Sequence, residues 1–278
     1  MSLHRQSART TLMGWALLCA ALLLILVPFA WILIASFKHP IDILSGTWSF
    51  KPTLDNYTDV VFSRRSDFMA AVRNSLLVAV ASTSIVLVIG TLAAYSLHRF
   101  AWARWVSVGF LGWTLAFHLI PVLTLVGPWY LAFKSIGLYD TKFALVLIHV
   151  SINLPMTVWL MMSFFRDIPP EIEQAALVDG CHPLAAFWRV MLPLVVPGLI
   201  AAGVLAFVFS WNEFSVALNL VSQTNATVPV VVAKFAQDYE IQHGQMAAAS
   251  MLATLPALAL MVFGQRFIIQ GLTMGSVK

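Results

Sequence analysis

The amino-acid sequence predicts an all-α membrane protein, a single polytopic domain over residues 1–278 with about six transmembrane helices. Hydrophobic residues make up 60% of the chain and charged residues 10%, against roughly 45–50% and 25% in soluble domains. The mean hydropathy is +0.86, and the apolar residues are gathered into long runs separated by polar segments. These observations exclude a soluble globular protein.

Six apolar runs approach or exceed the roughly 20 residues that a helix needs to cross the hydrocarbon core. In chain order they are Thr11–Phe37, Val72–Leu97, Val106–Val126, Phe143–Phe165, Val195–Val221 and Met246–Phe267. The first run follows two arginines, as in a secretory signal. It is longer than the roughly 7–15 residues of a signal core and has no clear cleavage site, so we expect a retained first helix.

Prolines within these runs indicate kinked helices in a protein that moves. They stand at Pro28, Pro121, Pro155, Pro197 and Pro256. Proline would break a soluble helix, but neighbouring helices and water satisfy the freed backbone groups inside a membrane.

The charges favour cytoplasmic termini without settling the orientation. An even number of spans places both ends on one side, and the Lys and Arg counts of the two sides tie. The side of the termini holds its charges in shorter segments, which weakly favours it as the cytoplasmic side. The net charge of +4 reflects residues flanking spans and not a nucleic-acid-binding surface. Cys19 and Cys181 are expected to stay unpaired.

A polar segment from Asp167 to Pro193, between the fourth and fifth runs, predicts a helix-turn-helix. Pro169-Pro170 ends one helix and starts the next, and Glu171 and Glu173 fall in its first turn, where negative charge suits the helix dipole. Ala175 and Ala176 leave room on its surface for a partner to come close.

The end of the segment carries turn signals. Asp179-Gly180 predicts a turn with glycine in the left-handed conformation. Pro183 is expected to start a second short helix, which Leu192-Pro193 stops before the fifth span. The alternative is a solvated loop with incidental helix signals.

Polar residues inside the spans are candidates for a translocation pathway. Glu213, beside Asn212, is the only acidic residue within a predicted span; its carboxylate faces either a partner or water-filled cavity or the solvated membrane edge. His149 and Asn153 share one face of the fourth span, where they either line the pathway or join helices by hydrogen bonds, which we favour.

The polar segment resembles the EAA loop of binding-protein-dependent ABC importer permeases. In that pattern Glu-Ala-Ala is followed by three residues, Gly, nine residues, an aliphatic residue, one residue and Leu-Pro. The matching residues are Gln174-Ala175-Ala176, Gly180, Val190 and Leu192-Pro193. The chain departs from the pattern at Gln174, where the family usually has glutamate, and Glu173 beside it is available to compensate.

Further blocks extend the resemblance over nearly the whole chain, to the carbohydrate branch and its smaller maltose-type permease subunit. They are Leu54-Asp55-Asn56-Tyr57, Asn74-Ser75-Leu76, Ala93-Ala94-Tyr95 with Arg99-Phe100, Ile136-Gly137-Leu138 with Asp140-Thr141, Trp211-Asn212-Glu213-Phe214, and Gln265-Arg266-Phe267 with Gly271-Leu272-Thr273 and Lys278.

The resemblance implies an importer subunit for a sugar or polyol in the cell inner membrane, with cytoplasmic termini. Its coupling loop, residues 167–193, would dock on a separate ATPase through Glu173, Gln174, Ala175, Ala176, Asp179, Gly180, Leu192 and Pro193. The tail, residues 268–278, would add contacts through Gly271, Leu272 and Lys278. The implied partners are a second homologous permease subunit, two ATP-binding-cassette subunits and an extracytoplasmic solute-binding protein.

We expect no enzyme activity, metal or cofactor in this chain, with ATP and Mg²⁺ held by the partner ATPase. None of the six lysines follows a glycine, so a phosphate-binding Walker loop is absent, and no hydrolase or zinc motif occurs. The alternatives are an ion-coupled secondary transporter, which predicts several midplane charges, and a permease for another small solute.

Overall fold

The computed structural model describes residues 8–63, 66–100, 102–236 and 242–273, and these residues form helices and connecting turns without strands. The α-helices in chain order are α1 (Ala8–Ser36), α2 (Pro40–Leu44), α3 (Asp55–Phe62), α4 (Phe68–Arg99), α5 (Arg104–Leu119), α6 (Val122–Ser135), α7 (Lys142–Arg166), α8 (Pro170–Val178), α9 (Pro183–Ala186), α10 (Leu192–Leu194), α11 (Val196–Trp211), α12 (Ser215–Leu220), α13 (Val228–Lys234) and α14 (His243–Thr273). A π-helical turn, Phe187–Met191, joins α9 to α10, and a 3-10 turn, Gln223–Asn225, follows α12.

Four of these helices, α1, α4, α7 and α14, are long and apolar enough to cross a membrane. They correspond to the first, second, fourth and sixth predicted spans. Two bent helix pairs raise the number to six if each pair is one span. The expected all-α polytopic fold is therefore confirmed.

The third span, predicted over Val106–Val126 with a kink at Pro121, is divided at that residue into α5 and α6. The axes of α5 and α6 meet at 98°, and Ile120 between them has an extended backbone. The ring of Pro121 disfavours helical geometry at the preceding residue, which accounts for the break.

The fifth span is also shorter than expected, since the helix predicted over Val195–Val221 is interrupted. The turns from Pro183 to Leu194 meet α11 at 72°. The helix α11 then ends at Trp211, and a new helix begins at Ser215. Glu213 lies in this gap, and its contacts explain the interruption below.

The chain divides into two compact units, one containing the chain to Phe68 with Val232–Leu252, the other Met69–Val231 with the chain from Ala253. In the first unit Asn56 ties the end of α1 to α3, because its Nδ2 donates to the carbonyl oxygens of Ser36 and Lys38, each at 2.9 Å. Gly244, at the start of α14, packs directly on the Asn56 amide, where a Cβ atom would lie 2.6 Å from Oδ1.

The core of the second unit lies where α4, α7 and the π turn converge. Its buried side chains include Tyr95, Phe165, Phe187 and Met191. The ring of Tyr95 lies 4.7 Å from that of Phe187 and 5.5 Å from that of Phe165, centroid to centroid. This core anchors the segment that contains α8.

The opposite end of α4 is bonded to the loop after α12. Nδ2 of Asn74 donates to the carbonyl oxygens of Thr224 and Ala226, each at 3.1 Å, and the amide of Val228 donates to Oγ of Ser75 at 2.8 Å. Because Asn74 lies near the start of α4 and Tyr95 near its end, this loop and α8 occupy opposite ends of the second unit.

Asp140, in the turn between α6 and α7, joins the same loop. Its carboxylate accepts hydrogen bonds from the amide and hydroxyl of Ser222, at 2.7 and 2.6 Å, and from the side chain of Asn225 at 3.2 Å. Partial burial alone would raise the pKa of the Asp140 carboxyl, but the bonds from Ser222 and Asn225 outweigh it and hold the pKa below its ordinary value.

We expect Asp140→Asn to lower the thermal stability of the detergent-solubilised protein at neutral pH. A carboxyl with a lowered folded-state pKa contributes stability that is fully present above the unfolded-state pKa of about 3.9 and is lost as the pH falls through the folded-state value. The difference in Tm between the wild type and the variant should therefore shrink below about pH 4. Asparagine tolerates the positive φ of 59° at this position.

Thermal unfolding followed by circular dichroism between pH 7 and pH 3 tests this, with the exposed Asp55→Asn as the control. A difference in Tm that persists unchanged at pH 3 contradicts the role assigned to the Asp140 carboxylate.

Candidate functional site

The helix α8 begins and ends where the sequence predicts. Pro169 precedes it, Pro170 is its first residue, and Glu171 and Glu173 lie in its first turn. At its end the amide of Cys181 donates to the carbonyl of Ala176 at 3.0 Å, and the amide of Gly180 to that of Leu177 at 3.1 Å. This is a Schellman cap, and it requires the left-handed φ of +89° that Gly180 adopts.

The carboxylate of Glu173 points into the protein and not onto the exposed face of α8. Oε1 accepts a hydrogen bond from the hydroxyl of Tyr95. Oε2 lies 2.5 Å from Nε of Arg99 as an ion pair, although the direction of the N–H bond is not that of a hydrogen bond. The side chains of Arg99 and Glu173 are 13% and 12% exposed. Glu173 therefore does not supply, at the surface, the carboxylate that Gln174 lacks.

The other predicted coupling residues divide between surface and core. Ala176 is buried, so only Ala175 of the two alanines offers close approach to a partner. Gln174, Asp179, Gly180 and Pro193 are exposed, and Leu192 is half-buried. Exposed apolar side chains adjoin them on α8 and the following turns, namely Leu177, Val178, Leu184 and Trp188.

The second helix of the segment starts at Pro183 as predicted, with Nδ1 of His182 accepting from the amide of Leu184 at 3.4 Å. Its expected end at Leu192-Pro193 lies within one residue of the observed end before the fifth span. The chain passes through the π turn and remains helical to Leu194, with Pro193 in the first turn of α10. Proline is tolerated there because the first turn of a helix needs no intrahelical N–H donor.

A second polar cluster surrounds Glu213, and it explains the gap after α11. The carboxylate accepts hydrogen bonds from the amides of Val216 at 2.8 Å and Ala217 at 3.1 Å, in the first turn of α12. These amides would otherwise lack acceptors, because the first four N–H groups of a helix have no partner within it. Glu213 thus serves as an N-terminal cap, which sequence reasoning did not foresee.

His149 connects this cap to the neighbouring spans. Its Nε2 lies 3.7 Å from Oε2 of Glu213, and its Nδ1 shares a hydrogen bond with Oγ of Ser210 at 2.6 Å. Oγ of Ser210 also lies 3.0 Å from Oγ of Ser82. His149 therefore joins α7 to α11, and through Ser82 to α4.

The remaining pathway candidates bond within their own helices. Nδ2 of Asn153 donates to the carbonyl of His149, and Nδ2 of Asn212 to that of Val208, each at 2.9 Å. Asn153 is buried, whereas Asn212 is exposed at the end of α11.

Of the tail residues, Gly271 and Leu272 lie in the last turn of α14, and Lys278 lies outside the described residues. Among the described side chains no three His, Cys, Asp or Glu residues converge as a metal site would require.

We expect Glu213→Ala to destabilise the protein by about 1–3 kcal/mol, because it removes a helix cap and leaves two amides without acceptors. Glu213→Gln should have a smaller effect, since its amide oxygen still accepts one bond. Thermal unfolding in detergent measures both.

The matched control for this change is Glu171→Ala, which removes an exposed carboxylate from the first turn of α8. Equal Tm values for Glu213→Ala and Glu171→Ala contradict the capping role.

The chain is similar to known transport proteins over nearly its whole length. Residues 86–273 match the family described as binding-protein-dependent transport system inner membrane component. The chain is 34% identical over 257 residues to the trehalose transport system permease protein SugB of Mycobacterium tuberculosis, covering 91% of this chain and 92% of the relative. It is 31% identical over 256 residues to the trehalose/maltose transport system permease protein MalG of Thermococcus litoralis, covering 91% of each.

The fold is also similar to a solved structure, a chain in the crystal structure of a bacterial ABC transporter involved in the import of the acidic polysaccharide alginate. The TM-score is 0.79 at 21% identity, over 96% of this chain and 99% of that chain. The long apolar helices, the family match and the relatives agree: this chain belongs to the inner-membrane components of binding-protein-dependent transport systems and is a permease subunit of an ABC importer.

Proposed function

We propose that this permease subunit forms part of a pathway for a carbohydrate and receives its driving motion from a separate ATPase that docks on α8 and the turns after it. The observation that carries the proposal is the build of this segment. A short helix, fixed to the core by Glu173 and Ala176 and closed by a glycine cap, presents uncharged side chains between Glu171 and Asp179 at one end of the second unit.

The docking surface consists of exposed side chains on α8, α9 and the π turn. Val178 is 86%, Leu184 61% and Trp188 56% exposed. On a surface outside the bilayer, where we propose this one lies, large apolar side chains exposed together mark an interaction site. Gln174, Ala175, Asp179 and Gly180 are the contact residues in this proposal, Pro193 lies at its edge, and the tail with Gly271, Leu272 and Lys278 adds a second contact.

The assembly we propose has two permease subunits, two ATP-binding-cassette subunits and an extracytoplasmic solute-binding protein. The permease lies in the cell inner membrane in this proposal, and ATP and Mg²⁺ bind to the ATPase on its cytoplasmic side. The helix α8, on which the ATPase docks, and both termini therefore lie in the cytoplasm. Of the four pathway candidates, Asn212 has the exposed side chain and is the one we assign to the pathway.

The substrate class rests on the relatives. SugB is named as a trehalose permease, MalG as a trehalose/maltose permease, and another relative, SmoH of Agrobacterium fabrum, as a sulfoquinovosyl glycerol permease. Each of these names specifies a carbohydrate or a carbohydrate derivative, so we propose a carbohydrate as the substrate.

We expect Gly180→Val to abolish co-purification of the ATPase while the chain still inserts in the membrane. Beyond the two adjoining residues, no atom lies within 4 Å of the place that a Cβ would take at Gly180, so the effect arises from the φ of +89°, which valine strongly disfavours. Gly180→Asn should retain the ATPase, because asparagine tolerates this conformation. Pull-down of the tagged permease measures both.

The matched control is Gly137→Val, at the end of α6. Gly137 has a φ of +71° and equally open surroundings but lies beside Asp140, at the other end of the second unit. It should keep the ATPase, and ATPase recovery with Gly180→Val at the wild-type yield refutes the docking site.

The substrate class is tested by mass spectrometry of the ligand eluted from the solute-binding protein that co-purifies with the complex. We expect a carbohydrate that reconstituted vesicles accumulate with ATP, insensitively to a protonophore at fixed ATP. A peptide, amino acid or inorganic ion as the ligand contradicts the proposal, as does accumulation by vesicles that contain this chain alone.

A further inference from the structure

We infer that Tyr95 and Arg99 are positioning residues that fix α8 to the last turn of α4, so that motion imposed on α8 enters the transmembrane helices through α4. This inference rests on the proposed function, because it takes the ATPase as the source of the motion. It assigns to Glu173 a role inside the subunit in place of a contact with the ATPase.

The attachment has two points on one carboxylate. Oε1 of Glu173 accepts a hydrogen bond from the hydroxyl of Tyr95, and Oε2 forms an ion pair with the guanidinium of Arg99. Both charged side chains are nearly nine-tenths buried. A charge pair held out of water is costly to separate, because each partner is left as an uncompensated charge in a low dielectric. The helix α8 therefore cannot leave α4 without breaking this pair.

The last turn of α4 also contacts the part of the chain that follows α8. Nη2 of Arg99 lies 3.9 Å from Sδ of Met191, and the ring of Tyr95 packs on Phe187 at 4.7 Å. Met191 and Phe187 are the two ends of the π turn. One turn of α4 therefore contacts both helical parts of the coupling loop, α8 and the π turn.

The helix α4 is suited to carry a displacement across the membrane. It has 32 residues and no proline, which corresponds to a length of about 48 Å at a 1.5 Å rise per residue. The helix α7, which precedes α8 in sequence, contains Pro155, and α11 meets the turns before it at 72°. Proline and breaks are the usual places where a helix bends, so α4 is the stiffest of the three connections.

The far end of α4 delivers the displacement to a specific loop. Asn74 and Ser75 bond the chain at Thr224, Ala226 and Val228. A shift at Arg99 along the helix axis is thereby passed to the loop after α12, at the opposite end of the second unit.

The test measures whether α8 and α4 keep a constant distance during the ATPase cycle. Spin labels are placed on the native Cys181, which follows α8 and is partly exposed, and on Ser84→Cys, an exposed position in α4. The other cysteine is removed by Cys19→Ser. Double electron–electron resonance is recorded on the complete complex without nucleotide and trapped with ATP and vanadate.

We expect one distance that is the same in both states for the parent chain. Glu173→Gln and Arg99→Gln should lose this common distance, because α8 then moves without α4. Arg99→Lys, which keeps the charge, should restore it, and Glu171→Gln, which changes the exposed carboxylate of the same helix turn, should behave as the parent. Rescue by lysine separates a positioning role from general loss of structure.

The inference is overturned by a parent distance that changes between the two states, or by Glu173→Gln keeping the parent distance in both. Recovery of the ATPase with the labelled chain is scored in the same samples. If the ATPase does not co-purify with the parent chain, the proposed function and this inference are overturned together. If the ATPase does co-purify and the Glu173→Gln distance is unaltered, this inference alone is overturned.

Discussion

The structure depends on one constraint: the hydrocarbon core of a membrane offers no partner to a backbone amide or carbonyl. The helix α8 ends on the backbone bonds of its Schellman cap, but elsewhere side chains supply the bonds that the backbone lacks at a turn. Four side chains do this at four turns, Asn56 after α1, Asn74 at the loop after α12, Asp140 between α6 and α7, and Glu213 before α12. All four belong to the sequence blocks that carry the family resemblance. Their shared role is to let the chain turn without leaving backbone groups unpaired.

The fold class and the long spans were predictable because they depend on local composition. A run of about 20 apolar residues has few alternatives to a membrane helix, and the ends of α8 followed from prolines and an Asp-Gly pair that act within a few residues. A kink at Pro121 was expected, but the complete break of the third span there was not, and neither was the end of the fifth-span helix at Trp211. Pro121 was visible in the sequence, but a membrane helix tolerates proline, so the residue alone does not reveal whether it kinks the helix or ends it.

The position and ends of α8 were predicted, whereas the direction of two of its side chains was misjudged. Glu173 and Ala176 were assigned to the exposed face of α8, and both point inward. A short amphipathic helix gives its buried face from the sequence only when one side is plainly apolar, and α8 has apolar residues around most of its circumference. The partners of Glu173 lie 74 and 78 residues away along the chain at Arg99 and Tyr95, a separation that no local pattern reports. One feature of the sequence could have indicated Arg99 as a partner of Glu173, because Arg99 ends the second span on the same side as the coupling loop.

The inward turn of Glu173 changes the chemistry of the docking surface that we propose on α8. Between Glu171 and Asp179 the exposed positions of α8 are uncharged: Ile172, Gln174, Ala175, Leu177 and Val178. The one carboxylate in this stretch is neutralised inside the subunit by Arg99. Attraction between surface charges is weakened by salt, whereas burial of apolar area is not screened by it. In the docking that we propose, the partner is therefore held by shape and apolar contact, with Ala175 allowing a close approach and Leu177 and Val178 supplying the buried area. Glutamate at position 174 would add a charge to this face, and its replacement by glutamine leaves the buried Glu173 as the acidic group of the motif, used for holding the helix in place.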